Sequence, residues 1–285
     1  MNLNKIFGHF DKAGAGEYDQ VNSRRSAMKS FASLSGKLAL AAVPLGLSSV
    51  FQKTYANTNS TNDTVVEILN YALTLEYLEA EFYNMALASG GLIPGGAARG
   101  AIQTIANHEN AHVTFLMTAI KSLSGTPVAK PKFDFSAGSG SGNGPFKDVF
   151  NNFDLFLSVA QTFEDTGVRA YKGRAAEIVQ GGALLTAALQ IHSVEARHAA
   201  HIRNMRKAYG SGVGNVKPWI TGKMSNINTP AVQPSYDGED LTIQATINIV
   251  NINGFAISMD AATEAFDEPL SKAEVLKIVG PFIAP

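Results

Sequence analysis

Apolar residues recur at every third or fourth position along four long stretches of this chain, and helix-breaking residues fall between them. The first stretch opens after Asp63 with Thr64-Val65-Val66-Glu67, the Thr-x-x-Glu spacing of a capping box, and stops at Gly90-Gly91. The second runs from about Gly96 to Ser122, ahead of Gly125 and Pro127. The third is expected from near Pro145 to about Glu177, and the fourth from about Ala183 to Tyr209, stopped by Gly210. Residues 125–144, which include Gly-Ser-Gly-Ser-Gly-Asn-Gly, predict a flexible connection. Two short links and one long one predict two helical hairpins joined by a crossover, an all-α four-helix bundle over residues 57–210.

Residues 211–285 are patterned differently. Leu241, Ile243, Ala245, Ile247 and Ile249 alternate with polar residues, which predicts a half-buried strand; a helix packed on the bundle is the alternative. Residues 261–266 continue helically, and Ser271-Lys272-Ala273-Glu274 is a second capping box, opening a short helix to about Val279. This extension is expected to dock on the bundle.

The inward faces of the four helices carry charge where apolar residues belong. At roughly 100° per residue, Leu184, Ala188, Ile191 and Ile202 share a face with Glu195, and His198 sits at its edge. On the second helix Ile102, Ile105, Leu116 and Ile120 share a face with Glu109, and His112 follows at the same spacing of three. The first and third helices each add a lone inward carboxylate with a tyrosine seven residues on, Glu76 with Tyr83 and Glu164 with Tyr171. The chain is thus loosely duplicated. Two helices carry Glu-x-x-His and two carry a single Glu.

Composition narrows what these residues can do. The 285-residue chain is 45% hydrophobic and 16% charged, with a formal net charge of −1, which gives no electrostatic case for nucleic acid. There is no cysteine, so disulfides, iron–sulfur clusters and thiol catalysis are excluded and a metal must be held by oxygen and nitrogen. Four ionised carboxylates in an apolar core would cost several kcal/mol each without counter-charge, and no lysine or arginine is patterned onto these faces. Two divalent cations would neutralise them. The donor set suits iron or manganese better than calcium or structural zinc.

The stretches "LNYALTLEYLEAEFY" at 69–83, "FEDTGVRAY" at 163–171, "HSVEARHAAHIR" at 192–203 and "AATEAFDEPLSKAEVLKIVGPFIA" at 261–284 resemble the ferritin-like di-metal carboxylate superfamily. Within it they resemble bacterial proteins related to the plant desiccation-associated family. The resemblance implies that Glu76, Glu109, His112, Glu164, Glu195 and His198 are metal ligands, with Glu109 and Glu195 bridging and Glu76 and Glu164 terminal. Tyr83 and Tyr171 are candidates for electron relay or for hydrogen bonds to ligating carboxylates, with plain core packing as the alternative. Glu79, about 60° from Glu76 on the helical wheel, is read as a partner behind the ligands or in an ion pair, with a seventh ligand as the alternative. His192 is read as an edge residue, and His108 and His201 as helix-surface residues.

Iron or manganese in such a site implies chemistry with dioxygen or hydrogen peroxide, of ferroxidase or peroxidase type. A protective protein with a structural metal, a manganese catalase-like activity and iron storage are the alternatives, and a homo-oligomer is compatible with all of them. Residues 1–56 read as a leader. Ser23-Arg24-Arg25-Ser26-Ala27-Met28-Lys29, the apolar run Leu38 to Val50 and Thr54-Tyr55-Ala56 resemble a twin-arginine export signal, which implies the export machinery as partner and a periplasmic or extracellular destination. The apolar run is too short and too interrupted for a stable membrane span.

Overall fold

The computed structural model describes residues 63–175, 177–178, 182–210, 216–244 and 246–285, so the expected leader lies outside the described residues. Four long helices, α1 (Val65–Ala88), α2 (Ala97–Ser122), α3 (Phe153–Ala175) and α4 (Gly182–Tyr209), form the bundle. α1 packs along α2 and α3 along α4, and the two hairpins meet through α1 with α3 and α2 with α4. The capping box at the start of α1 is formed, with Thr64 and Glu67 satisfying each other's backbone N–H groups. Phe82 anchors the core between the hairpins, stacked on Phe156 at 4.9 Å and edge-on to Phe163 at 5.0 Å.

α3 begins eight residues later than the expected Pro145. Residues 145–152 form turns, and Asn152 starts the helix by accepting from Leu155 N at 3.0 Å. The glycine-rich crossover is likewise held rather than flexible. Both carboxylate oxygens of Asp134 are used: one accepts from Ser136 N at 3.0 Å and Ser136 Oγ at 2.6 Å, the other from Gly140 N at 2.8 Å and Gly142 N at 3.0 Å. The chain's last residues close on the same loop, through Asp134 N to Phe282 O at 2.7 Å, Ser139 N to Pro281 O at 2.9 Å and Ala284 N to Lys132 O at 2.8 Å.

In the extension α5 (Met259–Thr263) bonds internally, Thr263 Oγ1 accepting from Gly222 N at 2.9 Å, while α6 (Lys272–Val279) docks on α3 and irregular chain docks on α3 and α4. The capping box at Ser271 is formed and starts α6. A stripe of polar residues one turn apart on α3, namely Gln161, Asp165 and Arg169, is buried under it. Arg169 donates to Ser235 O at 2.7 Å, Glu268 O at 2.8 Å and Asp237 O at 2.9 Å, and it pairs with Glu239. Arg203 pairs with Asp165 at 2.5 Å, and Tyr236 Oη donates to the same carboxylate at 2.8 Å. Buried charges are tolerated here because each meets opposite charge or several hydrogen-bond partners.

Gly173 makes the closest approach between bundle and extension. A Cβ there would sit 2.1 Å from Leu270 O, so only glycine lets the two backbones meet. Residues 241–249 form neither the single half-buried strand nor the packed helix. Ile243–Gln244 (β1) pairs antiparallel with Ile247–Asn248 (β2) in a minimal hairpin that reverses through Thr246 at φ 72°, and both isoleucines are exposed. The alternation came from two short strands that pair with each other instead of covering a core.

Candidate metal centre

All six inward residues converge midway along the bundle, each placed by the face of its own helix. Glu76, Glu109, Glu164 and Glu195 are wholly buried, and His112 and His198 are nearly so. Two groups of donor atoms result. Glu76, Glu109, His112 and Glu195 present one set within 4.8 Å of one another, and Glu109, Glu164, Glu195 and His198 present the other. Glu109 and Glu195 belong to both. Each group therefore draws on both hairpins, with a two-fold relation that exchanges Glu76 for Glu164 and His112 for His198.

The contacts repeat that relation. Tyr83 on α1 donates to Glu164 Oε1 at 2.5 Å, and Tyr171 on α3 donates to Glu76 Oε1, so each tyrosine holds the carboxylate of the other hairpin. His112 Nδ1 lies 3.1 Å from both Glu76 Oε2 and Glu109 Oε2, and 3.3 Å from Glu195 Oε1. His198 Nδ1 lies 2.8 Å from Glu109 Oε1 and 3.3 Å from Glu164 Oε2. These approaches of His198 lack the alignment of hydrogen bonds: its Nδ1, Glu109 Oε1, Glu164 Oε2 and both oxygens of Glu195 are buried without a hydrogen-bond partner. Buried acceptors are rarely left so. Lone pairs that converge without donors between them are what a cation would satisfy, and the residues fit two such ions.

Electrostatics describe the same excess of negative charge. Burial pushes Glu76 up to about 7, against the pull of His112. Burial and then the neighbouring carboxylates hold Glu195 and Glu79 well above the carboxylate range. Burial would also raise Glu109, but the two imidazoles beside it keep it below its ordinary value. Burial disfavours the cationic forms of His112 and His198, yet the surrounding carboxylates raise both well above 6.5.

One neighbour makes a contact that was not expected. His108 lies on the surface as expected, but its Nδ1 is 2.9 Å from His198 Nε2 and the two rings stack. The missed signal was its place immediately before Glu109, where it reaches across to α4. The position related by duplication is Val194, so among the described residues His198 has an imidazole behind it and His112 does not. His192 turns away from the site toward Val168 O at 2.9 Å, and His201 is exposed. Glu79 is buried close to the site but belongs to neither donor group among the described residues.

Beside Tyr171 an apolar cavity of about 20 Å³ is lined by Tyr71, Leu75, Leu116, Leu184 and Ile191 among others. Among the described residues no helix is long and apolar enough to cross a membrane. A family model described as a ferritin-like domain matches residues 64–208, which takes in every residue of both donor groups. No curated protein and no solved structure matches the chain significantly.

Proposed function

Because the chain belongs to the ferritin-like family, we propose that Glu76, Glu109, His112, Glu164, Glu195 and His198 hold two divalent ions, iron or manganese, for redox chemistry with dioxygen or a peroxide. The observation that carries this reading is the pair of buried donor groups sharing Glu109 and Glu195, in which Glu109 Oε1, Glu164 Oε2, both oxygens of Glu195 and His198 Nδ1 have no hydrogen-bond partner. When bound by these residues, the ions would supply the reducing electrons for that chemistry.

The protein's own groups set the conditions for that chemistry. Glu109 and Glu195 span the two positions, and Glu76 and Glu164 close the ends. Tyr171 and Tyr83 each engage one oxygen of those end carboxylates and leave the other facing a histidine, so orientation is fixed from behind. Burial keeps both phenols protonated, Tyr83 and Tyr171 being held well above 10 by desolvation and then by the carboxylate each touches. The cavity next to Tyr171 has room for one small molecule, and its apolar lining suits dioxygen better than a strongly hydrated oxidant. Residues 23–29 and 38–50 are read as an export leader that delivers the folded protein outside the cytoplasm.

Elemental analysis followed by anaerobic ferrous or manganous loading and measurement of dioxygen and peroxide consumption tests the reading. Two ions per chain and consumption of an oxidant are expected, with both lost in Glu109→Gln and Glu195→Gln. Loading without consumption of either oxidant would leave a structural site, and oxygen release with manganese would indicate catalase-like chemistry. Fractionation of cells expressing the full chain tests export. An Arg24→Lys, Arg25→Lys variant is expected to stay in the cytoplasm, and one exported normally overturns that part.

A further inference from the structure

The duplication that relates Glu76 to Glu164 fails three residues later, where α1 carries Glu79 and α3 carries Gly167. These two positions face each other. A Cβ on Gly167 would meet Glu79 Oε1 at 3.2 Å and Glu195 Oε2 at 3.3 Å, so the missing side chain is the space in which the two carboxylates lie. Glu79 is 3% exposed, and no hydrogen-bond donor or ion-pair partner meets its carboxylate among the described residues. The expected ion pair within the hairpin is absent there. Its immediate electrostatic surroundings are Glu195, Glu164, Glu109 and Glu76. An unpaired buried carboxylate is a poor choice for stability, since an apolar residue of its size would avoid the desolvation.

We propose that Glu79 is a seventh protein ligand and fifth carboxylate for the two-ion site, kept within reach of Glu195 by Gly167, and that it matches the extra positive charge of an oxidised, trivalent centre. This rests on the two-ion reading above. The four carboxylates of the donor groups balance two divalent ions, so a fifth is in excess until an ion carries a third charge. Glu195 belongs to both donor groups, and a carboxylate sharing its gap is placed to join either ion.

Gallium(III), supplied as its nitrilotriacetate complex, and zinc(II) serve as redox-inert probes of the two charge states. Their affinities are measured by competition on the wild type, Glu79→Gln and Glu79→Asp. The isosteric Glu79→Gln is expected to lose about tenfold or more in gallium affinity and a smaller factor, about four- to fivefold for a tenfold gallium loss, in zinc affinity, because the attraction of one nearby charge scales with the charge of the ion. Glu79→Asp is expected to keep most of the preference, because it keeps the charge. A merely structural role would weaken both ions by the same factor or neither, and either of those results overturns the proposal. A wild type that binds neither ion overturns the two-ion reading itself, which is a different outcome from a wild type that binds both and a variant that behaves identically.

Discussion

Gly173→Ala is expected to destabilise the protein, although the same change inside a helix ordinarily stabilises. The added Cβ would lie 2.1 Å from Leu270 O, about 0.9 Å inside the 3.0 Å that real Cβ contacts respect, and neither backbone is free to yield. Relief requires the segment around Leu270 to move off α3. That movement breaks the bond from Leu270 N to Arg169 O, now 3.1 Å, and strains the one from Arg169 Nε to Glu268 O, now 2.8 Å. The two together are worth about 1–3 kcal/mol. It also begins to expose Leu270, a buried leucine whose full exposure would cost about 2 kcal/mol more. Against this, alanine gains at most about 1 kcal/mol over glycine in helix propensity. The net expectation is a loss of about 1–3 kcal/mol, read from urea denaturation monitored by circular dichroism, with faster protease cleavage in the extension. A variant more stable than wild type, by the amount helix propensity supplies, would refute the close approach and with it the docking of the extension on α3.

Arg203→Met leaves Asp165 buried with Tyr236 and without its cation, and a loss of about 3–5 kcal/mol in denaturant unfolding is expected. An unchanged midpoint would mean that the pair does not hold the extension in solution. Stability of the metal-free protein is expected to fall as pH rises from about 5 to 8. The sign follows from the folded state binding protons more tightly than the unfolded chain: Glu76, pushed up from 4.5 to about 7, weakens the fold by up to about 1.4 kcal/mol per pH unit across that interval. His112 and His198, raised above 6.5, stabilise the fold below that pH and lose their contribution as pH climbs through their raised values. Thermal melts across this range, with and without added metal, check the trend, and a metal-free curve that rises with pH is incompatible with it.

The bundle and the convergence of its six charged residues were legible because both obey the helical period. Glu76, Glu109, Glu164 and Glu195 each occupy a face otherwise made of leucine, isoleucine and alanine, and the spacing of three brings the histidines beside them. What the period could not reveal lay where tertiary contact outweighs local pattern. Gln161, Asp165 and Arg169 form a polar stripe on the back of α3, indistinguishable in sequence from a solvated face until the extension covers it. The glycine-rich crossover shows no local signal of order, since its bonds go to Asp134 and to residues near 282, nearly 150 positions away in the chain. His108 sits on the surface of its own helix, and its contact with His198 exists only because that ring arrives from another. The β1–β2 hairpin has apolar alternation without burial, so the pattern pointed to a core that is not there.

The sharing of each donor group between two hairpins has a kinetic consequence. Within a hairpin the helices are joined by a short link, but no group can be emptied or filled from one hairpin alone. Residence time of an ion would then be governed by the rate at which α1 and α2 part from α3 and α4, however weak its individual bonds. A chelator in solution must wait for that opening.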